Sequence, residues 1–242
     1  VSVLAPWLKR FASGTLADLI DHTLLRPDAT ALDVVRLADQ AARHHFAAVC
    51  VNGQWVPLAV ERLAARGVKI ATVVGFPLGA SGTAAKVAET RIAVSCGADE
   101  IDMVMALGWA RAGQWSQVGT EIAEVVATAE GRLVKVILES AVLSAEEVER
   151  AAEVAVAAGA GMVKTSTGFH AAGGATVDAV RIMRRVVGAR AGVKASGGVR
   201  TTAEARQMLL AGADRLGTSS AAMWGPALDR RLDEYLAGED LR

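Results

Sequence analysis

Only two cysteines, Cys50 and Cys96, occur in 242 residues, and they share neither a metal-binding nor a redox spacing. This speaks against a disulfide framework and leads us to expect a reduced, cytoplasmic setting. Excess charge of one sign is also missing, because 26 Lys and Arg balance 26 Asp and Glu. Neither a nucleic acid nor an anionic membrane is therefore expected as partner. No apolar run approaches the roughly 20 residues that a bilayer-spanning helix needs. The four histidines, His22, His44, His45 and His170, are scattered, so no metal site is expected. No dinucleotide-type glycine fingerprint follows the first apolar run, and no linker or low-complexity tract divides the chain. The opening stretch, Val1 to Arg10, is mildly amphipathic. Pro6 and Lys9-Arg10 interrupt any signal-peptide core, and the stretch is expected to form an additional N-terminal helix.

What the chain does contain is alternation. Short β-branched runs lie near Leu19–Leu24, Ala47–Val51, Lys69–Val74, Glu100–Val104, Val134–Leu138, Met162–Thr165, Val193–Ala195 and Arg215–Thr218. Ala-rich helical patterns separate them, over Ala31–Arg43, Thr83–Ser95, Trp115–Ala129, Ser144–Ala158, Val177–Val187 and Thr202–Ala211. Ser144-Ala-Glu-Glu147 and Thr201-Thr-Ala-Glu204 read as capping boxes. Gly97, Gly159 and Gly212 fall where helices should stop before the next strand.

Alternating β and α elements imply a parallel sheet, either doubly wound or closed. Strand parity chooses between them. Lys135 shares a face with Leu133, Ile137 and Glu139, whereas Val134, Val136 and Leu138 take the other. Lys164 stands opposite Val163 and Thr165, and Lys194 opposite Val193 and Ala195. Asp102 shares its face with Glu100 and Val104, opposite Ile101, Met103 and Met105. One face is thus apolar and the other collects charge. A doubly wound sheet should be apolar on both. The expected architecture is an α/β fold, a (β/α)8 barrel forming a single domain over residues 1–242.

Lysine is rarely buried, because desolvating an ammonium is costly. Lys135, Lys164 and Lys194 nonetheless recur inside successive apolar strands. Lys164 and Lys194 are followed at once by small polar residues and glycine, which places them near the open end. A second cation nearby and partial desolvation both favour the neutral amine, the form that attacks a carbonyl. Asp102 on the same face is suited to moving a proton and balancing charge. The alternative is a structural ion-pair cluster of Lys135, Lys164, Lys194, Asp102 and Glu139.

Glycine-rich turns follow the last three strands at Gly168, at Gly197-Gly198 and at Gly217-Thr-Ser-Ser220. Such turns let backbone N–H groups approach an anion, and barrels often bind phosphate there. Ordinary βα turns are the competing reading. Asp21 or Thr23 is a candidate for the barrel mouth, while His22 between them has no assigned face. Cys50 is either close to the pocket or an inert buried thiol. His44-His45 is read as solvated surface. Trp7, Trp55, Trp109, Trp115 and Trp224 are read as packing or interface residues.

The segments Ile20-Asp-His-Thr-Leu-Leu25, Val49-Cys-Val-Asn52, Ala71-Thr-Val-Val-Gly-Phe-Pro-Leu-Gly79, Asp99-Glu-Ile-Asp-Met-Val104, Val134-Lys-Val-Ile-Leu-Glu139, Val163-Lys-Thr-Ser-Thr-Gly-Phe169, Val193-Lys-Ala-Ser-Gly-Gly-Val-Arg200 and Arg215-Leu-Gly-Thr-Ser-Ser220 occur in this order across nearly the whole chain. Together they resemble the deoxyribose-phosphate aldolase family of class I (Schiff-base) aldolases. The resemblance implies cleavage of 2-deoxy-D-ribose 5-phosphate to acetaldehyde and glyceraldehyde 3-phosphate, in deoxyribose catabolism, without metal or organic cofactor. It implies Lys164 as the Schiff-base lysine, Lys194 as its perturbing neighbour and Asp102 as the proton-relay carboxylate. Gly168, Gly197, Gly198, Gly217 and Ser219 would hold phosphate. Asp21, Thr23, Cys50 and Lys135 would support the site. A homodimer or homotetramer is expected. Three departures stand out: the Gly/Ala-rich loop Phe76–Thr83, a longer Gly168–Gly174 loop, and a tail ending in Arg242 without a terminal tyrosine. Another phosphate-binding barrel, whether a different aldolase, an isomerase or a non-catalytic sensor, is the competing expectation.

Overall fold

A computed structural model describes residues 14–238. The N-terminal helix expected over Val1–Arg10, Trp7 and the last four residues of the tail lie outside the described residues. Eight parallel strands close into a barrel in sequence order: β1 (Ile20–Leu24), β2 (Ala48–Val51), β3 (Lys69–Val74), β4 (Glu100–Val104), β5 (Leu133–Ile137), β6 (Met162–Lys164), β7 (Gly192–Ser196) and β8 (Arg215–Thr218), with β8 pairing back onto β1. The expected strands match within a residue or two at each end.

Helices α1 (Ala31–His44), α2 (Val56–Leu63), α3 (Thr83–Ser95), α4 (Leu107–Arg111), α5 (Trp115–Thr128), α6 (Ala145–Ala157), α7 (Val177–Val187), α8 (Thr202–Ala211) and α9 (Leu232–Ala237) surround the sheet. The capping boxes at Ser144 and Thr201 form, and a third at Thr30 uses Asp33 where the Glu/Gln pattern would not find it. Gly97, Gly159 and Gly212 take positive φ before β4, β6 and β8. The short helices α2, α4 and α9 are too brief to show a clear period, and the alternation did not reveal them.

The parity argument holds in three dimensions. Ile101, Met103, Val134, Val136, Val163, Val193 and Ala195 belong to the main hydrophobic core between strands and helices. Their alternating neighbours face inward. Register places Asp102 beside Lys135, Lys164 beside Lys194, and Lys194 beside Arg215. Among the described residues, no helix is long and apolar enough to cross a membrane.

Candidate active site

The inward residues form a continuous buried ion-pair network. Asp102 accepts from three lysines: Lys135 at 2.6 Å through one oxygen, and Lys164 and Lys194 at 2.8 Å each through the other. Asp21 pairs with Lys194, with Arg215 at 2.6 Å and with Lys135 at 3.5 Å. Glu100 pairs with Lys135 at 2.6 Å and Arg215 at 3.4 Å. Arg215 and Glu100 open their strands and so lie toward the N-terminal end of the barrel. Lys164 closes β6 and lies toward the mouth.

Each charge responds to burial and to its neighbours. Burial works to raise the Asp102 pKa, but Lys135, Lys164 and Lys194 outweigh it and hold the group well below the usual carboxylate range. Asp21 is likewise lowered, by Lys194, Arg215 and Lys135 against burial. For Lys194, burial favours the amine, yet Asp102 and Asp21 prevail and raise its pKa. Lys135 is raised in the same way by Asp102, Asp21 and Glu100. Lys164 alone among the three lysines moves the other way. Burial, aided by the Lys194 ammonium, lowers its pKa against the pull of Asp102. The result is an amine biased toward its nucleophilic form with a carboxylate 2.8 Å away.

Lys164 forms part of the floor of a cavity of about 320 Å³ at the C-terminal mouth, framed by Thr23 to Arg26 at and just past the end of β1 and by the loops after β6, β7 and β8. Gly168, Gly197, Gly198, Gly217 and Ser219 all line it. The turns are pinned by short bonds between the three strand ends. Thr165 Oγ1 donates to the Ser196 carbonyl at 3.0 Å, Ser196 Oγ to the Ser166 carbonyl at 2.6 Å, and Thr218 Oγ1 to the Val199 carbonyl at 2.6 Å. Gly197 and Gly198 have φ of 81° and 85°, which a side chain would strain. Gly217 is needed for a different reason: a Cβ there would lie 2.9 Å from Ser196 Cβ and 3.1 Å from Lys194 Cε.

The two mouth candidates separate. Thr23 borders the cavity and donates to the Asp21 carbonyl at 2.9 Å. Asp21 is fully buried beneath it in the network. His22 faces outward, with Nε2 2.9 Å from Gln40 Oε1 and its ring against Phe46. Cys50 is fully buried in a small apolar cluster with Leu25 and Ala71, and Val73 and Phe76 pack against it. Burial and Asp102 push its thiol up to about 11. Trp224 is buried and donates to the Arg200 carbonyl at 2.9 Å, while Trp55, Trp109 and Trp115 pack partly buried against the core.

Glu139 requires a correction. The alternation placed it in the lysine cluster, but β5 ends at Ile137 and Glu139 turns to φ 51°, so strand parity no longer applies. Its carboxylate instead accepts from the backbone N–H of Thr167 at 3.2 Å and from its hydroxyl at 2.5 Å. It thereby holds the loop that follows Lys164. Glu100, which parity put on the same face as Asp102, joins the network, and so does Arg215, which sequence reasoning did not place there. Arg26 and Arg200 at the cavity were also missed. Arg26 is tied to Asp28 at 2.9 Å and to Asp33.

The departing loops have defined roles in packing. Across the mouth, the ring of Phe76 meets that of Phe169 edge-on, with centroids 5.2 Å apart at 83°. In the longer loop, Gly174 lies flat against Gly197. A Cβ at Gly174 would be 2.9 Å from Gly197 Cα and closer still to its carbonyl, while the Ala175 N–H donates to that carbonyl at 2.9 Å.

Fold and site together define a closed β/α barrel that presents a buried amine and its carboxylate partner at the C-terminal ends of the strands. The chain belongs to the DeoC/LacD family of aldolases, whose model matches residues 15–223. It is 47% identical over 223 residues to the deoxyribose-phosphate aldolase of Mannheimia succiniciproducens, covering 92% of this chain and 97% of that one. It is 50% identical over 207 residues to the corresponding enzyme of Bacillus mycoides, covering 85% and 92%. Among solved structures, the tetrameric deoxyribose phosphate aldolase of Aeropyrum pernix superposes with a TM-score of 0.80 at 32% identity, covering 92% of this chain and 91% of that one. An aldolase designated QR15 superposes at 0.84 with 36% identity, covering 93% and 99%.

Proposed function

We propose that this chain is a Schiff-base aldolase that reversibly cleaves 2-deoxy-D-ribose 5-phosphate to acetaldehyde and D-glyceraldehyde 3-phosphate. The observation that carries the reading is the Lys164 amine, lowered in pKa and set at the cavity floor 2.8 Å from Asp102. In this reading the neutral amine adds to the substrate aldehyde carbon, and loss of water gives the imine. The protonated imine accepts the electron pair as the bond between the second and third carbons breaks. The hydroxyl on the third carbon gives up its proton and becomes the aldehyde of glyceraldehyde 3-phosphate. The enamine left on Lys164 is protonated, and hydrolysis releases acetaldehyde. Asp102 and Lys194 carry protons at the carbinolamine and enamine stages. Gly168, Gly197, Gly198, Gly217 and Ser219 receive the phosphate, Thr23 receives a substrate hydroxyl, and Asp21, Cys50 and Lys135 support the site from beneath.

Borohydride reduction in the presence of the substrate tests this. The expected product is a covalent adduct mapped by mass spectrometry to Lys164. Folded protein without any adduct would overturn the imine mechanism, and an adduct on another lysine would overturn the assignment. Lys164→Ala is expected to abolish turnover with the fold intact. We further infer one barrel domain over residues 1–242 and a homodimer or homotetramer, which light scattering would test. The tetramer described for the Aeropyrum pernix relative supports the assembly. The free thiols Cys50 and Cys96 support a cytoplasmic setting.

A further inference from the structure

We infer that Arg215 and Glu100, at the end of the barrel away from the cavity, are positioning residues that set the protonation of Lys164 by fixing the charge balance of the barrel interior. The inference rests on the proposed role of Lys164. The groups facing Lys164 are Asp102 from β4, Lys194 from β7 and the Cys50 thiol from β2, while Lys135 from β5 holds the other oxygen of Asp102. Behind them stand Asp21 from β1, Glu100 from β4 and Arg215 from β8.

The network therefore holds four basic groups, Lys135, Lys164, Lys194 and Arg215, against three carboxylates, Asp21, Glu100 and Asp102. An excess charge in a low-dielectric interior is costly, and a group that can shed its proton does so. Arginine does not deprotonate in proteins. Lys135 lies against three carboxylates and Lys194 against two, so both are held as cations. Lys164 has one, which it shares with both of them, and of the three lysines it alone borders the cavity. The odd proton is thus the one on Lys164. Arg215 makes the count odd. Its guanidinium is permanently charged and occupies both Asp21 and Glu100. Without it, three lysines would balance three carboxylates and Lys164 would be stable as an ammonium, which is no nucleophile. Without the Glu100 carboxylate the excess would grow to two, pressing Lys164 further toward the amine.

Acetaldehyde has no titrating group, so the pH dependence of its trapping on the protein by cyanoborohydride reports the amine. Arg215→Met is expected to move the acid limb of the trapping rate upward by about half to one pH unit, and Glu100→Gln to move it downward by a similar amount. Arg215→Lys is expected to restore the original limb. Opposite shifts from the two partners of one ion pair cannot come from loosened packing, which would lower both rates without displacing the limbs oppositely. Circular dichroism and thermal unfolding verify the fold of each variant. Unmoved limbs in folded variants, or shifts in the same direction, overturn the inference. If only one variant folds, the direction of its shift decides. Failure of the unaltered protein to trap acetaldehyde overturns the proposed function instead.

Discussion

Lys86 and Glu121 meet at 2.8 Å outside the barrel wall, with both side chains fully buried. The Lys86 ammonium also donates to the carbonyls of Gly79 at 3.0 Å and Val104 at 2.8 Å, and Glu121 accepts from the Ala106 N–H at 3.0 Å. One ion pair thus ties α3 and α5 to the loop after β3 and to the end of β4, two residues beyond Asp102. Burial draws both groups toward their neutral forms, and the pairing opposes it. Lys86→Met removes the countercharge of a buried carboxylate and a donor from two carbonyls, and it is expected to cost about 3–5 kcal/mol of unfolding free energy. Lys86→Met combined with Glu121→Leu is expected to recover part of that loss. Denaturant titration measures both, and a single variant within about 1 kcal/mol of the parent would show the pair to be inconsequential.

The contact of Gly174 with Gly197 predicts a selective defect. Gly174→Ala forces a Cβ into the Gly197 backbone and is expected to cost about 1–3 kcal/mol of stability. Because Gly197 belongs to the turn proposed to receive phosphate, KM for deoxyribose 5-phosphate should rise more than KM for unphosphorylated deoxyribose. Equal changes for the two substrates would separate this loop from phosphate recognition.

Acid stability follows from the two inner aspartates. Their folded pKa values lie below the ordinary range, so the stability they contribute is complete above the unfolded value of about 4 and drains away as pH falls through the folded values. Below about pH 4 the pair can contribute a slope of up to about 2.7 kcal/mol per pH unit. Asp21→Asn is expected to flatten this slope, which denaturant midpoints measured across acidic buffers would reveal. An unchanged slope in that variant contradicts the assignment.

Thiol chemistry should discriminate the two cysteines. Cys50 is fully buried and its thiol is pushed up to about 11, whereas Cys96 is partly exposed at the end of α3. Iodoacetamide in mildly alkaline buffer is expected to modify Cys96 first and Cys50 only after denaturation, as read by peptide mass spectrometry. Labelling of Cys50 ahead of Cys96 in the native protein contradicts this burial.

Much of this architecture was legible because a barrel interior obeys a period of two. Asp102, Lys135, Lys164 and Lys194 revealed themselves as charges in apolar strands, and the glycines after β6 to β8 as turns. The remainder depends on contacts between distant segments. Arg215 looked like an ordinary charge preceding an apolar step, and only closure of β8 onto β1 brings it to Asp21. Lys86 sits in a helix where a lysine normally reads as solvent-facing, and its burial depends on Glu121 arriving from α5. Glu139 misled because parity persists only while the chain stays extended.

The edge-on contact of Phe76 with Phe169 makes the barrel mouth one-sided. It bridges the rim between the loops after β3 and β6, while the cavity opens among the loops after β1, β6, β7 and β8. Under the proposed function, a sugar phosphate with its anionic end in the glycine turns would turn its aldehyde end inward to Lys164, and the fragment not bound to Lys164 would leave on the side away from the two rings.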